Sequence, residues 1–254
     1  MQMRVLKIGG NELSDPDFIA LLGKSAAHLI NETGTPLIIV HGGGRAIASL
    51  QTQLGLETIK VDGLRVTGPE SLNVAQMVLS GQSNKIVVKA LLAAGLDALG
   101  LSGVDGGLLR CRKKEHPTAD LGYVGEIVEV RGDLLEKLMS LDLTPVLSPI
   151  SLGVDGLTYN VNADEAASAV AQACRAEELV FVSNVPGVLC ADELVPSLTA
   201  MEVEEYIEKG IINGGMVPKV RSALQAVERG AARVRIVNLD GLLAGSGSTI
   251  VANK

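Results

Sequence analysis

The sequence predicts an α/β protein: a three-layer αβα sandwich around a mostly parallel central sheet. Three observations carry that expectation. Apolar, β-branched runs such as Leu37-Ile38-Ile39-Val40 suit strands buried on both faces. These runs alternate with stretches of helical spacing, the pattern of βαβ units. Two of the strands run straight into glycines, at Ile8-Gly9-Gly10 and at His41-Gly42-Gly43-Gly44. Glycines there leave bare backbone N–H groups above the sheet, next to a helix start, as a cradle for a strongly anionic ligand.

In chain order, Met3 to Ile8 reads as the first strand, with Lys7 two residues before the glycine pair. Ser14-Asp15-Pro16 signals a helix start, a capping side chain followed by proline in the first turn. Phe18, Leu21, Leu22, Ala26, Leu29 and Ile30 then keep helical spacing until Gly34. A strand over Leu37–Val40 leads through the glycines into a helix ending near Gly55. The stretch Val61–Gly68 is too broken by glycine for a regular element. Its Arg65 is the only charge among Leu64, Val66 and Thr67, and reads as a solvated hairpin charge or as a binding residue.

Pro69-Glu70 opens a helix, Ser83–Ala94 forms another capped by Gly95, and Asp97–Leu101 is a short strand. Leu108–Arg112 and Tyr123–Arg131 read as antiparallel strands joined by the polar loop Lys113–Gly122, expected to be a mobile flap. A helix over Leu134–Leu141 and a buried strand over Thr144–Ser148 follow. Tyr159-Asn160-Val161-Asn162-Ala163-Asp164 then opens an Ala-rich helix reaching Arg175. Asn162 and Asp164 fit an N-cap and a first-turn acid, yet two amides and a carboxylate at spacing two favour a site. Leu179–Ser183 is a buried strand, Met201–Lys209 a helix, and Gly214-Gly215-Met216-Val217-Pro218-Lys219 leads into a helix reaching Glu228. Lys219 near that helix's N-terminus is disfavoured by the dipole unless an anion accompanies it. Arg233–Asn238 and Ser248–Ala252 are the last strands. A boundary near residue 176 divides the chain into lobes 1–175 and 176–254.

With 254 residues and 47% hydrophobic content the chain can bury a large core. Aromatic residues make up 2%, too few for a base-stacking platform, and the net charge of −7 argues against nucleic-acid binding. Cys111, Cys174 and Cys190 are widely spaced and odd in number, indicating neither a disulfide frame nor a zinc site. His28, His41 and His116 have no spacing that suggests metal ligation. No signal segment or membrane-length apolar run is visible, so a cytoplasmic protein with no membrane partner is expected.

The Walker pattern GxxxxGK[ST] and the dinucleotide pattern GxGxxG are both absent. His41-Gly42-Gly43-Gly44 resembles a lipase oxyanion loop, but no GxSxG elbow supplies a nucleophile. What remains is phosphoryl transfer without a P-loop, which needs positioning and charge neutralisation above all. A carboxylate acceptor, already ionised at neutral pH, needs no general base. Lys7, Lys219, the two glycine loops and Asp164 supply what that chemistry asks for.

With these residues in view, the chain resembles the acetylglutamate kinases of the amino acid kinase family over essentially its whole length. The matching pieces are Lys7-Ile8-Gly9-Gly10, Val40–Gly44, Gly63-Leu64-Arg65-Val66-Thr67, Asn84-Lys85, Gly122–Gly125, Asn160–Asp164, Ser183–Leu189 and Gly214–Val220. The resemblance implies ATP- and Mg²⁺-dependent phosphorylation of the side-chain carboxylate of N-acetyl-L-glutamate, giving an acyl phosphate in arginine biosynthesis. It implies that Lys7 and Lys219 stabilise transition-state charge and that Asp164 orients both lysines. Gly10, Gly43 and Gly44 would donate N–H groups to the phosphoryl or the acceptor. Arg65 and Asn160 would hold the α-carboxylate and acetamido group. Asn184, Val185, Gly187, Val188 and Leu189, with Ile211, Ile212 and Asn213, would line the nucleotide. Mg²⁺ would be held mainly by phosphates and water, with no protein-only metal cage.

Arg45-Ala46 stands where relatives more often have Pro-Glu, Gly68 where Asp is common, and Asn184 where many carry Asp. The last departure also occurs in kinases acting on an amino-blocked 2-aminoadipate in lysine biosynthesis, an acceptor longer by one methylene, worth about 1–3 kcal/mol in a pocket. The intact His-Gly-Gly-Gly and Gly-Leu-Arg-Val-Thr favour acetylglutamate. A non-catalytic nucleotide or acyl-amino-acid sensor is the reading from another class, opposed by the presence of both lysines and Asp164. Because only six residues precede Lys7, the resemblance implies a homodimer insensitive to arginine, without the N-terminal helix that links dimers into hexamers.

Overall fold

The computed structural model describes residues 3–251. Its first strand, β1 (Arg4–Ile8), passes through the turn at Gly9-Gly10 to α1 (Pro16–Thr33). Asp15 caps that helix by accepting from the Asp17 and Phe18 amides, and Gly34 ends it in the left-handed conformation, with φ 64°. Strand β2 (Leu37–His41), buried along its whole length, is followed by α2 (Gly44–Gln53). The stretch expected to be irregular holds a small hairpin, β3 (Lys60–Val61) and β4 (Leu64–Arg65). Two residues per strand leave no alternation to read in the sequence.

Helix α3 (Pro69–Gln76), a π-turn segment over Met77–Ser83, and α4 (Asn84–Ala93) follow one another without a break. The two expected helices are therefore one continuous rod, and such π segments recur at functional sites. Then come β5 (Ala98–Ser102), the antiparallel pair β6 (Leu109–Lys113) and β7 (Val124–Val130), α5 (Gly132–Met139) and β8 (Thr144–Ser148). Strands β9 (Ile150–Gly153) and β10 (Thr158–Val161) form an antiparallel pair that closes with β6 and β7 into a four-stranded barrel. Helix α6 (Ala163–Ala173) and β11 (Glu178–Val182) lead to three short strands, β12 (Leu189–Cys190), β13 (Glu193–Leu194) and β14 (Ser197–Thr199). The chain continues through α7 (Ala200–Glu208), α8 (Met216–Glu228), β15 (Val234–Val237), α9 (Leu239–Ala244) and β16 (Ser248–Val251). Ala252, expected in the last strand, lies outside the described residues.

The central sheet has eight strands in the order β14-β16-β15-β11-β1-β2-β8-β5, all neighbours parallel except β15 and β16. Helices cover both faces, which is the αβα sandwich expected. The core divides accordingly. Val5, Ile38, Val40, Leu179 and Phe181 pack under α6 and α8 on one face, while Leu6, Ile8, Ile39, Val180 and Val182 pack under α1, α4 and α9 on the other. Side chains alternate along a strand, so Lys7 falls on the face of Val5, beside its register partner Phe181 and under α6.

Candidate active site

Strands β1, β2, β8 and β11 run parallel, so their C-terminal ends open on one side of the sheet, where α/β folds bind ligands. A cavity of about 240 Å³ lies there, and its wall includes Lys7, Gly10, Gly43, Gly44, Arg65, Asn160 and Asp164. Seven residues singled out from sequence are thus brought into one space. Lys60 and Leu64 from the β3–β4 hairpin, and Leu79 from the π segment, complete walls that sequence reasoning did not identify.

The two glycine loops touch backbone to backbone. A Cβ on Gly10 would stand 2.5 Å from the Gly43 nitrogen, and one on Gly43 would stand 2.7 Å from Leu79 Cδ2. At Gly44 a Cβ would meet nothing within 4 Å, so its glycine is not required by packing. Among the described residues, the Gly10 and Gly43 amides donate to no protein acceptor. They are free for an anion, as is the first turn of α2.

Lys7 Nζ lies 2.7 Å from Asp164 Oδ1 and 5.7 Å from the centre of the Phe181 ring. Asn162 caps α6 by accepting from the Asp164 and Glu165 amides, which aims the first turn of that helix at the cavity. The Asp164 carboxylate also accepts from Ser222 Oγ of α8 at 2.9 Å. Lys219 does not bond Asp164; its Nζ donates to Ser183 Oγ, at the end of β11. Of the two lysines expected to be oriented by Asp164, Lys7 touches its carboxylate, whereas Lys219 is held by a serine and feels Asp164 only through its charge. Burial pulls the Lys219 ammonium below its usual range. Glu12 and Asp164 act to raise it, and the like charge of Lys7 lowers it.

Arg65 is held as firmly. Its guanidinium donates to Gln51 Oε1, to the Gly44 carbonyl at 2.9 Å and to Thr58 Oγ1 at 3.2 Å. Gln51 is fully buried and is itself fixed by donating to Ser71 Oγ at 2.9 Å. Partial burial lowers the Arg65 pKa. Asn160 Nδ2 donates to Thr67 Oγ1 at 3.3 Å, and that hydroxyl donates to the Arg65 carbonyl at 2.8 Å. The amide and the guanidinium are thus set by a shared strand end.

Lys113 and Asp120 pair at 2.9 Å within the flap over residues 113–122, and Lys114–Glu165 and His116–Asp62 contacts of 3.0 Å each join it to the rest of the protein. The residues expected around a nucleotide lie apart from the cavity just described. Asn184, Leu189 and Asn213 are exposed, Val185 and Ile211 half-buried, and Val188 and Ile212 have their side chains in the core. Gly187, with φ 149°, lies so close to Ser248 that a Cβ would stand 2.6 Å from its hydroxyl, which also accepts from the Val188 amide. In that segment the backbone and the exposed side chains remain available for contacts. Ser222 and Gln51 escaped sequence reasoning because single serines and glutamines carry no pattern, and Ser183 stood in a matching segment without a role.

A family profile described as the amino acid kinase family matches residues 2–238. The chain belongs to the amino acid kinase family. The acetylglutamate kinase of Chloroflexus aggregans is 52% identical over 239 residues, covering 94% of this chain and 92% of that protein. The acetylglutamate kinase of Methanopyrus kandleri is 44% identical, covering 98% of this chain and 100% of that protein. Among solved structures, smu.665 from Streptococcus mutans superposes with a TM-score of 0.81 at 29% identity, covering 99% of each chain. The N-acetylglutamate synthase of Neisseria gonorrhoeae, complexed with coenzyme A and N-acetyl-glutamate, gives a TM-score of 0.84 at 25% identity, covering all of this chain and 60% of that one. The αβα sandwich is thus the fold of an amino acid kinase.

Proposed function

We propose that this chain transfers the γ-phosphoryl group of ATP to the side-chain carboxylate of N-acetyl-L-glutamate, in arginine biosynthesis. The observation that carries the reading is the single cavity uniting Lys7 and free glycine amides with Arg65 and Asn160. The first set suits a phosphoryl group in transfer, the second a carboxylate and an amide. Relatives 44–52% identical over nearly the whole chain are named acetylglutamate kinases, which favours this acceptor over a 2-aminoadipate derivative and over a non-catalytic sensor.

In this reading the acceptor carboxylate attacks in line, ADP leaves, and no proton is exchanged. Lys7 and Lys219 neutralise charge on either side of the transferring group, while Gly10, Gly43 and Gly44 donate N–H groups along it. Asp164 keeps Lys7 aimed. Arg65 pairs with the α-carboxylate, and Asn160 with the acetamido group. Asn184 to Leu189 and Ile211 to Asn213 hold the nucleotide through backbone and exposed side chains. Among the described residues no group of three or more His, Cys, Asp or Glu could hold a metal ion alone. In this reading Mg²⁺ comes in on the phosphates, where it would neutralise their charge. Lobe 1–175 would take the acyl amino acid and lobe 176–254 the nucleotide.

A homodimer in the cytoplasm is part of the proposal; Met77 and Leu92, on the α3–α4 rod, are more than half exposed and offer apolar surface for it. Among the described residues no helix is long and apolar enough to cross a membrane. The deciding assay offers MgATP with N-acetylglutamate or N-acetyl-2-aminoadipate, trapping acyl phosphate with hydroxylamine. Hydroxamate from the first and little from the second is expected; the reverse preference, or none from either, would overturn the reading. Sedimentation at micromolar concentration should give a dimer, and a monomer or hexamer would sink that part.

A further inference from the structure

His41 ends β2 with its side chain fully buried, and no step described above uses it. Its Nδ1 stands 3.1 Å from the carbonyl oxygen of Gly42, and its Nε2 stands 3.2 Å from Asn84 Nδ2. Asn84, also fully buried, donates to the Val146 carbonyl at 2.9 Å and lies 3.3 Å from that of Leu101. Its Oδ1 accepts from Lys85 Nζ at 2.9 Å. Two backbone carbonyls and an ammonium thus fix which end of the amide faces the imidazole: the donor end. The imidazole must accept at Nε2 and so carries its proton on Nδ1, donating it to Gly42.

That hydrogen bond acts on the next residue. The Gly42 N–H is already committed to the Ile8 carbonyl at 2.9 Å, so His41 pins the second polar group of the same residue. In a trans peptide the carbonyl of one residue and the N–H of the next point in opposite directions. Holding the Gly42 carbonyl on the imidazole therefore sets the direction of the Gly43 N–H, which lines the cavity and has no acceptor among the described residues. We infer that His41 and Asn84 form a positioning pair that aims the Gly43 amide at the transferring group. The inference rests on the proposed role of Gly43 in phosphoryl transfer.

Burial also holds His41 down to about 4, helped by the charge of Lys85 and opposed by the bond to Gly42. The pair therefore keeps one tautomer across the neutral range. An imidazolium would turn an N–H toward the amide donors of Asn84.

The test compares His41→Gln with His41→Asn in the hydroxylamine-trapped reaction. Glutamine places its amide near the former Nε2 and removes the donor to Gly42; asparagine keeps a donor near the former Nδ1. His41→Gln should lower kcat about 10²-fold, the scale of one lost transition-state donor, with both KM values within about threefold. His41→Asn should lose less than about tenfold. A His41→Gln enzyme with wild-type kcat, or equal losses in both variants, would overturn the inference. Asn84→Asp gives an independent reading should His41→Gln fail to fold. Its carboxylate would accept a hydrogen bond from Nε2–H, drawing the one proton of the neutral imidazole to Nε2 and leaving Nδ1 bare toward Gly42 above neutrality. Its kcat should be low at pH 8 and recover as the imidazolium forms at lower pH; a deficit constant with pH counts against the pair. Wild-type protein that forms no hydroxamate would remove the proposed function, and this inference with it. An active wild type beside an unimpaired His41→Gln removes the inference alone.

Discussion

Lys7 and Asp164 form an ion pair at 2.7 Å between a strand of the central sheet and the first turn of α6. The carboxylate is shared with Ser222 of α8, so one oxygen pair joins three elements around the cavity. Asp164→Asn keeps the shape and the serine contact but leaves the Lys7 ammonium unanchored. Its kcat should fall about 10²–10³-fold with a smaller change in either KM, read from initial rates of ADP release. Lys7→Arg should fall as far, because a planar fork does not reproduce a point charge.

Gln51 touches Arg65 from outside the cavity wall. Gln51→Leu should free the guanidinium, raising the KM for acetylglutamate about tenfold while kcat and the KM for ATP stay near wild type. Arg65→Lys should raise the same KM further, since bidentate pairing is lost. An effect on ATP instead would remove Arg65 from the acceptor side.

The glycine loops separate a packing role from a chemical one. Gly10→Ala forces a methyl into the Gly43 backbone and should lower both the melting temperature and the activity. Gly44→Ala meets open space, so the protein should fold with unchanged stability while activity falls as the methyl enters the ligand's place. Thermal unfolding beside initial rates distinguishes the two.

At the other end of the sheet, Glu178 is buried with Arg235 at 2.8 Å, Arg233 at 3.2 Å and Arg4 at 3.9 Å. Removing its charge leaves buried guanidinium unpaired. Glu178→Gln should cost on the order of 3–5 kcal/mol of stability in urea unfolding, with little change in KM for the surviving folded enzyme.

His41 gives a stability dependence with a defined sign. Its folded pKa, about 4, lies below the ordinary 6.5, so the unfolded chain binds the extra proton first. The contribution is complete above about pH 6.5 and is lost as pH falls toward 4, amounting to roughly 3 kcal/mol at most. Urea unfolding of the wild type against His41→Asn between pH 4 and 7 should converge as the pH falls. Parallel curves would count against a buried neutral imidazole.

What the sequence made legible follows from what leaves a pattern. Glycines after apolar strands, an inward lysine and the Asn-Val-Asn-Ala-Asp segment are local signals, and all of them meet around one cavity. Ser183, Ser222 and Gln51 act only because distant elements bring them to Lys219, Asp164 and Arg65. The barrel stayed hidden because β9 follows β8 after a single residue, and its partners lie on both sides of it in sequence. The histidine of His-Gly-Gly-Gly was visible, but its purpose depended on Asn84, forty-three residues away.

The register of β1 against β11, with Lys7 opposite Phe181, carries one more consequence. The two proposed lobes meet along this ladder within a single sheet, so the proposed division of ligands between them is not a division of the sheet. Cleavage between Ala173 and Glu178 would give each half a long, apolar, unpaired edge, β1 on one piece and β11 on the other. Such edges template association with other strands. Fragments 1–175 and 176–254 expressed apart should therefore aggregate, yet combine into active enzyme when produced together, the sheet serving as their splint.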